Sequence, residues 1–113
     1  MKKLYRLRKS SDFKKTMNRN LKVRTKSYLV FINPNKLGRM RIGISVSKKI
    51  GNAVVRAKVR RQIRAFFSIY NFYDKSYDIV IIAKPAFLTC TSLENKESLL
   101  NSINSLIVKG ENK

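Results

Sequence analysis

The sequence contains no histidine, one cysteine (Cys90) and only six acidic residues among 113. Without histidine there is no imidazole for acid–base catalysis, for a Ser-His or Cys-His nucleophile, or for a histidine metal site. A single cysteine excludes a disulfide framework and a cysteine-rich zinc site. These absences remove the commonest forms of protein-based hydrolytic chemistry.

Long apolar runs are missing as well. The longest hold five residues, such as 79–83, whereas a helix that spans a bilayer needs about 20. The basic start, Met1-Lys2-Lys3, is not followed by the apolar core of a signal peptide. We therefore expect a soluble cytoplasmic protein with no membrane association. A hydrophobic content of 43% is enough for one small core, and the length predicts a single domain over residues 1–113.

Positive charge dominates what is present. Lysine and arginine number 26, which gives a net charge of +20. Residues 1–64 hold 21 of these cations and one acid, Asp12, whereas residues 65–113 hold five of each sign. A solvated surface needs charge, but it does not need one sign confined to one half of the chain. The distribution predicts a surface that binds a polyanion, most simply a nucleic acid. A basic membrane-surface protein is disfavoured because no amphipathic helix has an exposed apolar face.

Hydrophobic periodicity predicts an α+β sandwich in which a helix is followed by two or three strands, a helix, a strand and a helix, or α-β-β-β-α-β-α with three strands. On one predicted strand, Tyr28, Val30 and Ile32 share a face, and Leu29 and Phe31 share the other. The strands on either side of the turn at 33–38 are expected to pair as a hairpin. The predicted segments are a basic arm at 1–9, a helix capped by Ser10 or Ser11 and running to about Asn18, strands at 22–32 and 39–47, a helix from Asn52 to about Tyr70, a strand at 77–83, a helix capped by Thr91 or Ser92 and running to about Val108, and a frayed tail at 109–113.

The helix that begins at Asn52 carries the strongest functional signal. Its apolar residues form one stripe about 120° wide, and its remaining surface has five cations and no acid. A solvated helix face usually mixes signs, because Glu–Lys pairs four residues apart stabilise helices. Like charges at this spacing cost stability, and a phosphate backbone would compensate for them. The stripe is Val55, Val59, Ile63, Phe66 and Tyr70, and the cations predicted to bind nucleic acid are Arg56, Lys58, Arg60, Arg61 and Arg64.

This helix belongs to a longer and more specific pattern. Arg41-Ile42-Gly43-Ile44-Ser45-Val46-Ser47-Lys48-Lys49-Ile50-Gly51-Asn52 leads into it, and Arg60-Arg61-Gln62-Ile63-Arg64 follows. Upstream, Leu7-Arg8-Lys9 precedes Asp12-Phe13. Together these residues resemble the bacterial ribonuclease P protein component over roughly residues 4–107.

Two positions depart from the family's pattern. Arg56-Ala57-Lys58 stands where the family usually has Arg-Asn-Arg, which removes the polar side chain in the middle. Met17 stands where the family usually has a second aromatic, one turn after Phe13. A thioether still packs apolar surface, but it stacks less well on a base.

The resemblance implies the protein subunit of a ribonucleoprotein that removes the 5′ leader from precursor tRNA, with the RNA as catalyst. It implies two partners, the catalytic RNA and precursor tRNA, and no obligate protein partner. It also implies no cofactor in the protein, Mg²⁺ held mainly by the RNA, and a left-handed strand–helix–strand crossover where the general rule is right-handed. The site residues it implies are Phe13, Met17 and Phe31 in a leader-binding cleft, and Lys48, Lys49 and Asn52 beside the five helix cations for RNA binding.

The acidic residues support a non-catalytic protein. Two-metal phosphodiester hydrolysis needs clustered carboxylates, and these are scattered, so no catalytic or metal-binding residue is predicted. A small ribosomal or RNA-chaperone protein is the main alternative, and the block from Ser45 to Arg64 favours ribonuclease P over it. A DNA-binding architectural protein would show a helix-turn-helix pair or a β-arm, and neither is evident. A self-sufficient nuclease is disfavoured by the absence of histidine and by the scattered acids. The acids are Asp12, Asp74, Asp78, Glu94, Glu97 and Glu111.

Overall fold

A computed structural model of the chain describes residues 5–18, 21–67 and 74–111. Its elements follow the predicted order, with the predicted strand at 22–32 divided into two strands by a bend at 26–27. A short 3₁₀ helix, Pro85–Thr89, follows the last strand. The elements are α1 (Ser10–Met17), β1 (Lys22–Arg24), β2 (Tyr28–Pro34), β3 (Arg41–Val46), α2 (Ala53–Phe66), β4 (Tyr77–Ala83) and α3 (Ser92–Glu111).

The four strands form one mixed sheet in the order β1-β2-β4-β3. β2 pairs antiparallel with β1 and β4, and β3 pairs parallel with β4. The predicted hairpin is therefore wrong, because β4 lies between β2 and β3. The reason is burial: Ile79, Val80 and Ile81 are fully buried, so β4 needs cover on both faces and takes a central place in the sheet. The turn at 33–38 still forms, with Gly38 at a φ of 71°.

The alternation predicted for β2 is confirmed. Tyr28, Val30 and Ile32 belong to the main core. Leu29 and Phe31 belong to a smaller cluster on the other face. Helices α2 and α3 cover the first face, where Val59, Ile63, Leu99, Ile103 and Leu106 are buried. Helix α1 and the segment before it cover the second face, so each face of the sheet has its own helical layer.

Helix α2 connects the parallel pair β3 and β4. Asn52 caps it, with Oδ1 accepting from the backbone N–H of Val55 at 3.0 Å. Its predicted stripe is confirmed at Val59, Ile63 and Phe66, but the helix ends at Phe66, and Tyr70 lies outside the described residues. The left-handed sense of this crossover remains a prediction from the resemblance.

The described residues near each end of the chain are docked on the rest of the fold. Arg6 forms a parallel bridge to Ile42, and the N–H of Leu7 donates to the Ile42 carbonyl at 2.9 Å. Leu7 is buried, so the described part of the predicted basic arm is docked against β3. The frayed tail predicted at 109–113 is wrong up to residue 111, because α3 continues that far and Gly110 packs against the Tyr77 ring.

The caps of α1 and α3 differ from each other. Neither serine caps α1: Lys9 occupies the N-cap position without a side-chain bond, and Ser10 is already helical. At α3 the predicted cap is confirmed for Thr91, whose Oγ1 accepts from the N–H of Glu94 at 3.1 Å. The Thr91 N–H in turn donates to Glu94 Oε1 at 2.9 Å, which completes a reciprocal capping box.

Candidate nucleic-acid interface

The outer surface of α2 is a cationic face. Because Val59, Ile63 and Phe66 point into the core, the polar side chains of this helix point outward. Lys58 and Arg61 are exposed. Arg56, Arg60 and Arg64 lie four residues apart and are half-buried along one edge of the helix. The structure therefore places all five predicted cations on the outward side of a single 14-residue helix.

The loop before α2 adds two more cations. Lys48 and Lys49 are exposed, and Ile50 is buried, which anchors the loop to the core. A tight turn shapes it: the Ile50 N–H donates to the Ser47 carbonyl at 3.1 Å, and the Lys49 N–H donates to Ser47 Oγ at 3.0 Å. The side-chain oxygen of Asn52, which was also predicted to bind RNA, is used as the helix cap.

Cations from distant parts of the chain converge where α2 passes the edge of the sheet. The bridge to Ile42 places Arg6 beside α2, close enough that its charge acts on Arg64. Burial lowers the pKa of the Arg64 guanidinium, and the positive charges of Arg6 and Arg60 lower it further. Like charges brought together in this way repel each other, and a bound anion relieves the repulsion.

Two adjoining hollows of about 460 and 150 Å³ lie between α1 and α2, over the edge of β3. Both are lined by Arg8, Phe13 and Ile44, and we refer to them together as the α1–α2 groove. Among the residues that the structure describes, no acid lines this groove. Its remaining lining residues are Arg6, Leu7, Ser10, Lys14, Ile42, Ser45, Val46, Arg60 and Arg64.

The three residues predicted for the leader cleft have different environments. Phe13 is half-buried and packs on the small cluster that contains Phe31. Phe31 itself is only 6% exposed, so most of its ring is covered in the free protein. Met17, one turn after Phe13, is 40% exposed. The structure thus brings Phe13 and Phe31 into one cluster and leaves Met17 at the open surface of α1.

The sheet surface beside α1 combines apolar residues with cations. Leu29 pairs with Ile82 in the register, and both are half-buried on this face. Lys22 and Arg24 are exposed on the adjacent β1, opposite Phe31 and Leu29. The Lys22 Nζ atom lies 5.8 Å from the centre of the Phe31 ring, within range of a cation–π interaction. This surface offers apolar area with positive charge at its rim.

Sequence reasoning missed several groove residues. Arg6, Arg8 and Lys14 reach the groove because the N-terminal segment docks on β3, whereas the sequence pattern predicted only a basic arm with no position in the fold. Lys22 and Arg24 could have been found, because strand alternation assigns them to the same face as Phe31. Gly43 belongs to the segment 41–49 that resembles the family's pattern, but that resemblance does not indicate which side chain packs on it.

The described carboxylates lie away from the α1–α2 groove or are already paired. Asp12 and Asp78 both contact the Arg41 guanidinium, and Glu94 belongs to the α3 cap. Asp74 and Glu97 are exposed at separate places. Among the described residues, no group of three or more potential metal ligands is close enough to hold an ion.

No helix within the described ranges has the length and apolar content needed to cross a membrane.

The fold and this interface define a small, strongly basic α+β protein with a cationic groove and a cationic helix face. The sequence model of the family described as Ribonuclease P matches residues 1–107. The chain belongs to this family, the protein component of bacterial ribonuclease P. It is 37% identical over 100 residues to the ribonuclease P protein component of Staphylococcus aureus, covering 88% of this chain and 87% of that protein.

Solved structures agree with this assignment. A mutant Staphylococcus aureus RNase P protein with defective mRNA degradation activity is 36% identical, with a TM-score of 0.82 over 95% of this chain and 90% of that chain. The RNase P protein from Thermotoga maritima is 29% identical, with a TM-score of 0.74 over 85% of this chain and 92% of that chain. The predicted family and fold class are thereby confirmed.

Proposed function

We propose that this protein is the RNA-binding subunit of a ribonuclease P that removes the 5′ leader from precursor tRNA. In this proposal the cationic face of α2 holds the catalytic RNA. The surface beside α1 holds the single-stranded leader. The RNA carries out the cleavage, and the protein supplies binding and orientation. Membership of the ribonuclease P family supports an RNA partner. The charge and shape of the described surfaces support separate sites for the catalytic RNA and the leader.

One observation carries the proposal. The α1–α2 groove joins the two surfaces, because Arg60 of α2 and Phe13 of α1 line the same hollow. A single strand presents phosphates and unstacked bases, which bind to cations and to aromatic or apolar surfaces without sequence readout. A strand that leaves the catalytic RNA along α2 therefore enters a groove that offers both kinds of contact.

Within the leader site we assign unequal roles to the three predicted residues. Phe13 is the stacking surface, since it is half-buried and lines the groove. Met17 extends that surface along α1. Phe31 supports this surface from within the small apolar cluster, because only 6% of its own surface is exposed.

We also propose that the divalent ions of the reaction are held by the RNA. The described carboxylates do not suit a resident metal ion. Asp12 and Asp78 both accept hydrogen bonds from Arg41, and the α3 cap uses Glu94. Metal-dependent phosphodiester hydrolysis by protein side chains would need free, clustered carboxylates.

Reconstitution tests this function. Precursor tRNA is incubated at low magnesium with the protein alone, with a bacterial ribonuclease P RNA alone, and with both. The expected result is leader removal only when both components are present. Cleavage by the protein alone would place the catalyst in the protein. Tight binding to the RNA with no effect on cleavage would instead favour an RNA chaperone.

A further inference from the structure

Asp12 is the only acid in the cationic half of the chain, and it has a defined partner. Its Oδ2 lies 3.4 Å from Nη1 of Arg41 on β3. Both side chains are about one-fifth exposed. Several other cations lie on the same face of the protein, so electrostatic attraction alone does not explain why Asp12 meets this arginine. The pairing connects the first turn of α1 to the start of β3.

Arg41 is a rigid anchor for this contact. Its Nε and Nη2 donate to the two carboxylate oxygens of Asp78, at 2.9 and 2.7 Å. Asp78 is buried and also accepts from Asn35 Nδ2 at 2.9 Å. A bidentate pair of this kind fixes the plane of the guanidinium as well as its position. Nη1 therefore points to one place, where it meets Asp12.

The residues that follow on each element are also in contact. Phe13 follows Asp12 on α1, and Gly43 lies two residues after Arg41 on the same face of β3. A Cβ atom built on Gly43 would lie 2.9 Å from both Cε atoms of the Phe13 ring, which is too close for real atoms. The ring therefore rests directly on the strand backbone. Thr16, fully buried one turn later, holds the same side of the helix against the sheet.

We infer that Asp12 and Arg41 are positioning residues for leader recognition, which set the rotation of α1 so that Phe13 rests on Gly43 and presents one face to the groove. The inference depends on the proposed function, since it assigns a role within the proposed leader site. Neither residue needs to touch the leader. Binding sites lose affinity when a contact group shifts by a fraction of an ångström, so a loosened α1 weakens stacking even when Phe13 is present.

Removing the charge of Asp12 distinguishes a positioning role from a purely electrostatic one. Replacing Asp12 by Asn makes the protein more positive, which on charge alone strengthens its binding to any tRNA. A positioning role predicts the opposite for precursor tRNA and no loss for mature tRNA, which has no leader. Glu97→Gln is the matched control, because it removes the same charge from an exposed position on α3.

The test combines binding with a direct view of the Phe13 ring. The chain has four glycines, so glycine-selective isotope labelling yields a simple NMR spectrum. The ring current of Phe13 shifts the Gly43 Hα signals, and Phe13→Leu identifies them by removing the shift. Gly110, which packs on Tyr77, serves as an internal reference. Affinities for precursor and mature tRNA are then measured with reconstituted holoenzyme for wild type, Asp12→Asn, Asp12→Glu and Glu97→Gln.

The expected result is a reduced Gly43 shift in Asp12→Asn and a loss of about threefold or more in the ratio of precursor to mature affinity. Asp12→Glu restores part of both, and Glu97→Gln changes neither. An unchanged ratio in Asp12→Asn overturns the inference, whether or not the Gly43 signal moves. If the wild-type holoenzyme itself does not prefer precursor tRNA, the proposed leader site fails instead, so the two failures are distinguishable.

Discussion

Phe13 and Gly43 show how two residues distant in sequence define one side of the α1–α2 groove. The sequence singled out Phe13 through its place in the family pattern, and the structure confirms that it lines a groove. Gly43 belongs to the same family pattern, but a glycine in a strand often marks a close approach without indicating what approaches. Only the packing of α1 on the sheet reveals the Phe13 ring above it.

Gly43→Ala is expected to force the Phe13 ring off the strand. Crowding of this kind in a packed region costs about 1–3 kcal/mol of unfolding free energy. The precursor preference of the holoenzyme should fall as well, since the ring moves. Urea unfolding and tRNA affinities measure the two effects.

The cause can be isolated with a double-mutant cycle. In a Phe13→Ala background the added methyl group meets no ring, so Gly43→Ala should cost much less stability there. Equal costs in both backgrounds would show that the overlap with Phe13 is not the source.

Among the secondary-structure elements, α2 was the most predictable. Its apolar stripe and its Asn52 cap can be read from residue spacing alone. Strand pairing was less predictable, because the turn at 33–38 suits a hairpin equally well. The outcome was decided by β4, whose residues are buried on both faces and displace β3 from β2. Such competition between strands depends on tertiary burial, which no local pattern contains.

The α2 face is expected to bind catalytic RNA through its phosphates. Each phosphate contact contributes roughly 0.7 to 0.9 to the steepness of log K against log salt. Arg61→Ala should therefore weaken RNA binding and reduce this slope by about one contact. Lys109→Ala, an exposed cation on α3, should leave the slope nearly unchanged.

Arg60 and Arg61 form an informative pair because only Arg60 lines the groove. Arg60→Ala should weaken both catalytic-RNA binding and precursor tRNA binding, whereas Arg61→Ala should affect mainly the RNA. A salt slope that stays the same in both variants would mean that α2 presents an ordinary solvated face.

The capping box of α3 should affect stability without affecting RNA binding. Thr91→Ala removes the cap and should lower the unfolding free energy by about 1 kcal/mol. RNA affinity should remain close to the wild-type value, since Thr91 is not a predicted RNA-binding residue and Lys58, which lines a hollow together with Ser92, keeps its charge. Urea unfolding and filter binding would check both statements, and a loss of RNA affinity would contradict the division of surfaces.

The same capping box has a pH dependence with a defined sign. Hydrogen bonds from the backbone and then the side chain of Thr91 lower the pKa of Glu94. The ionised Glu94 carboxylate therefore stabilises the folded protein at pH values above its unfolded-state pKa. This contribution to stability is lost as the pH falls through the lowered pKa of the folded state. Glu94→Gln should show a smaller loss of stability than wild type between pH 7 and about pH 3. Equal losses would mean that the carboxylate does not contribute through its charge.

In the protein as a whole, the uneven charge along the sequence corresponds to an uneven charge on the surface. Every described cation that lines the α1–α2 groove or lies on α2 comes from residues 1–64, whereas α3 carries residues of both signs. Composition predicted a polyanion surface, and the positions of Arg56 to Arg64 on α2 were predicted residue by residue. The resemblance implied a cleft at Phe13, but its cationic lining could not be predicted, because Arg6 and Arg8 join Arg60 only through the docking of the N-terminal segment on β3.

The exposed acids should be dispensable for turnover. Asp74→Asn and Glu97→Gln remove carboxylates that lie at separate exposed sites. Holoenzyme cleavage should stay near the wild-type rate in both variants. A loss of a hundredfold, or about 2.7 kcal/mol, in a folded variant would place part of the chemistry in the protein.

In the proposed function, the groove beside Phe13 distinguishes precursor from mature tRNA. The most direct measurement is the affinity of reconstituted Phe13→Ala holoenzyme for each tRNA, after circular dichroism has shown that the variant folds. Stacking on one base contributes roughly 1–3 kcal/mol. Precursor affinity should therefore fall about tenfold, while mature tRNA affinity and binding to the catalytic RNA stay unchanged. Equal losses for the two tRNAs would show that Phe13 is a core residue and that the leader lies elsewhere.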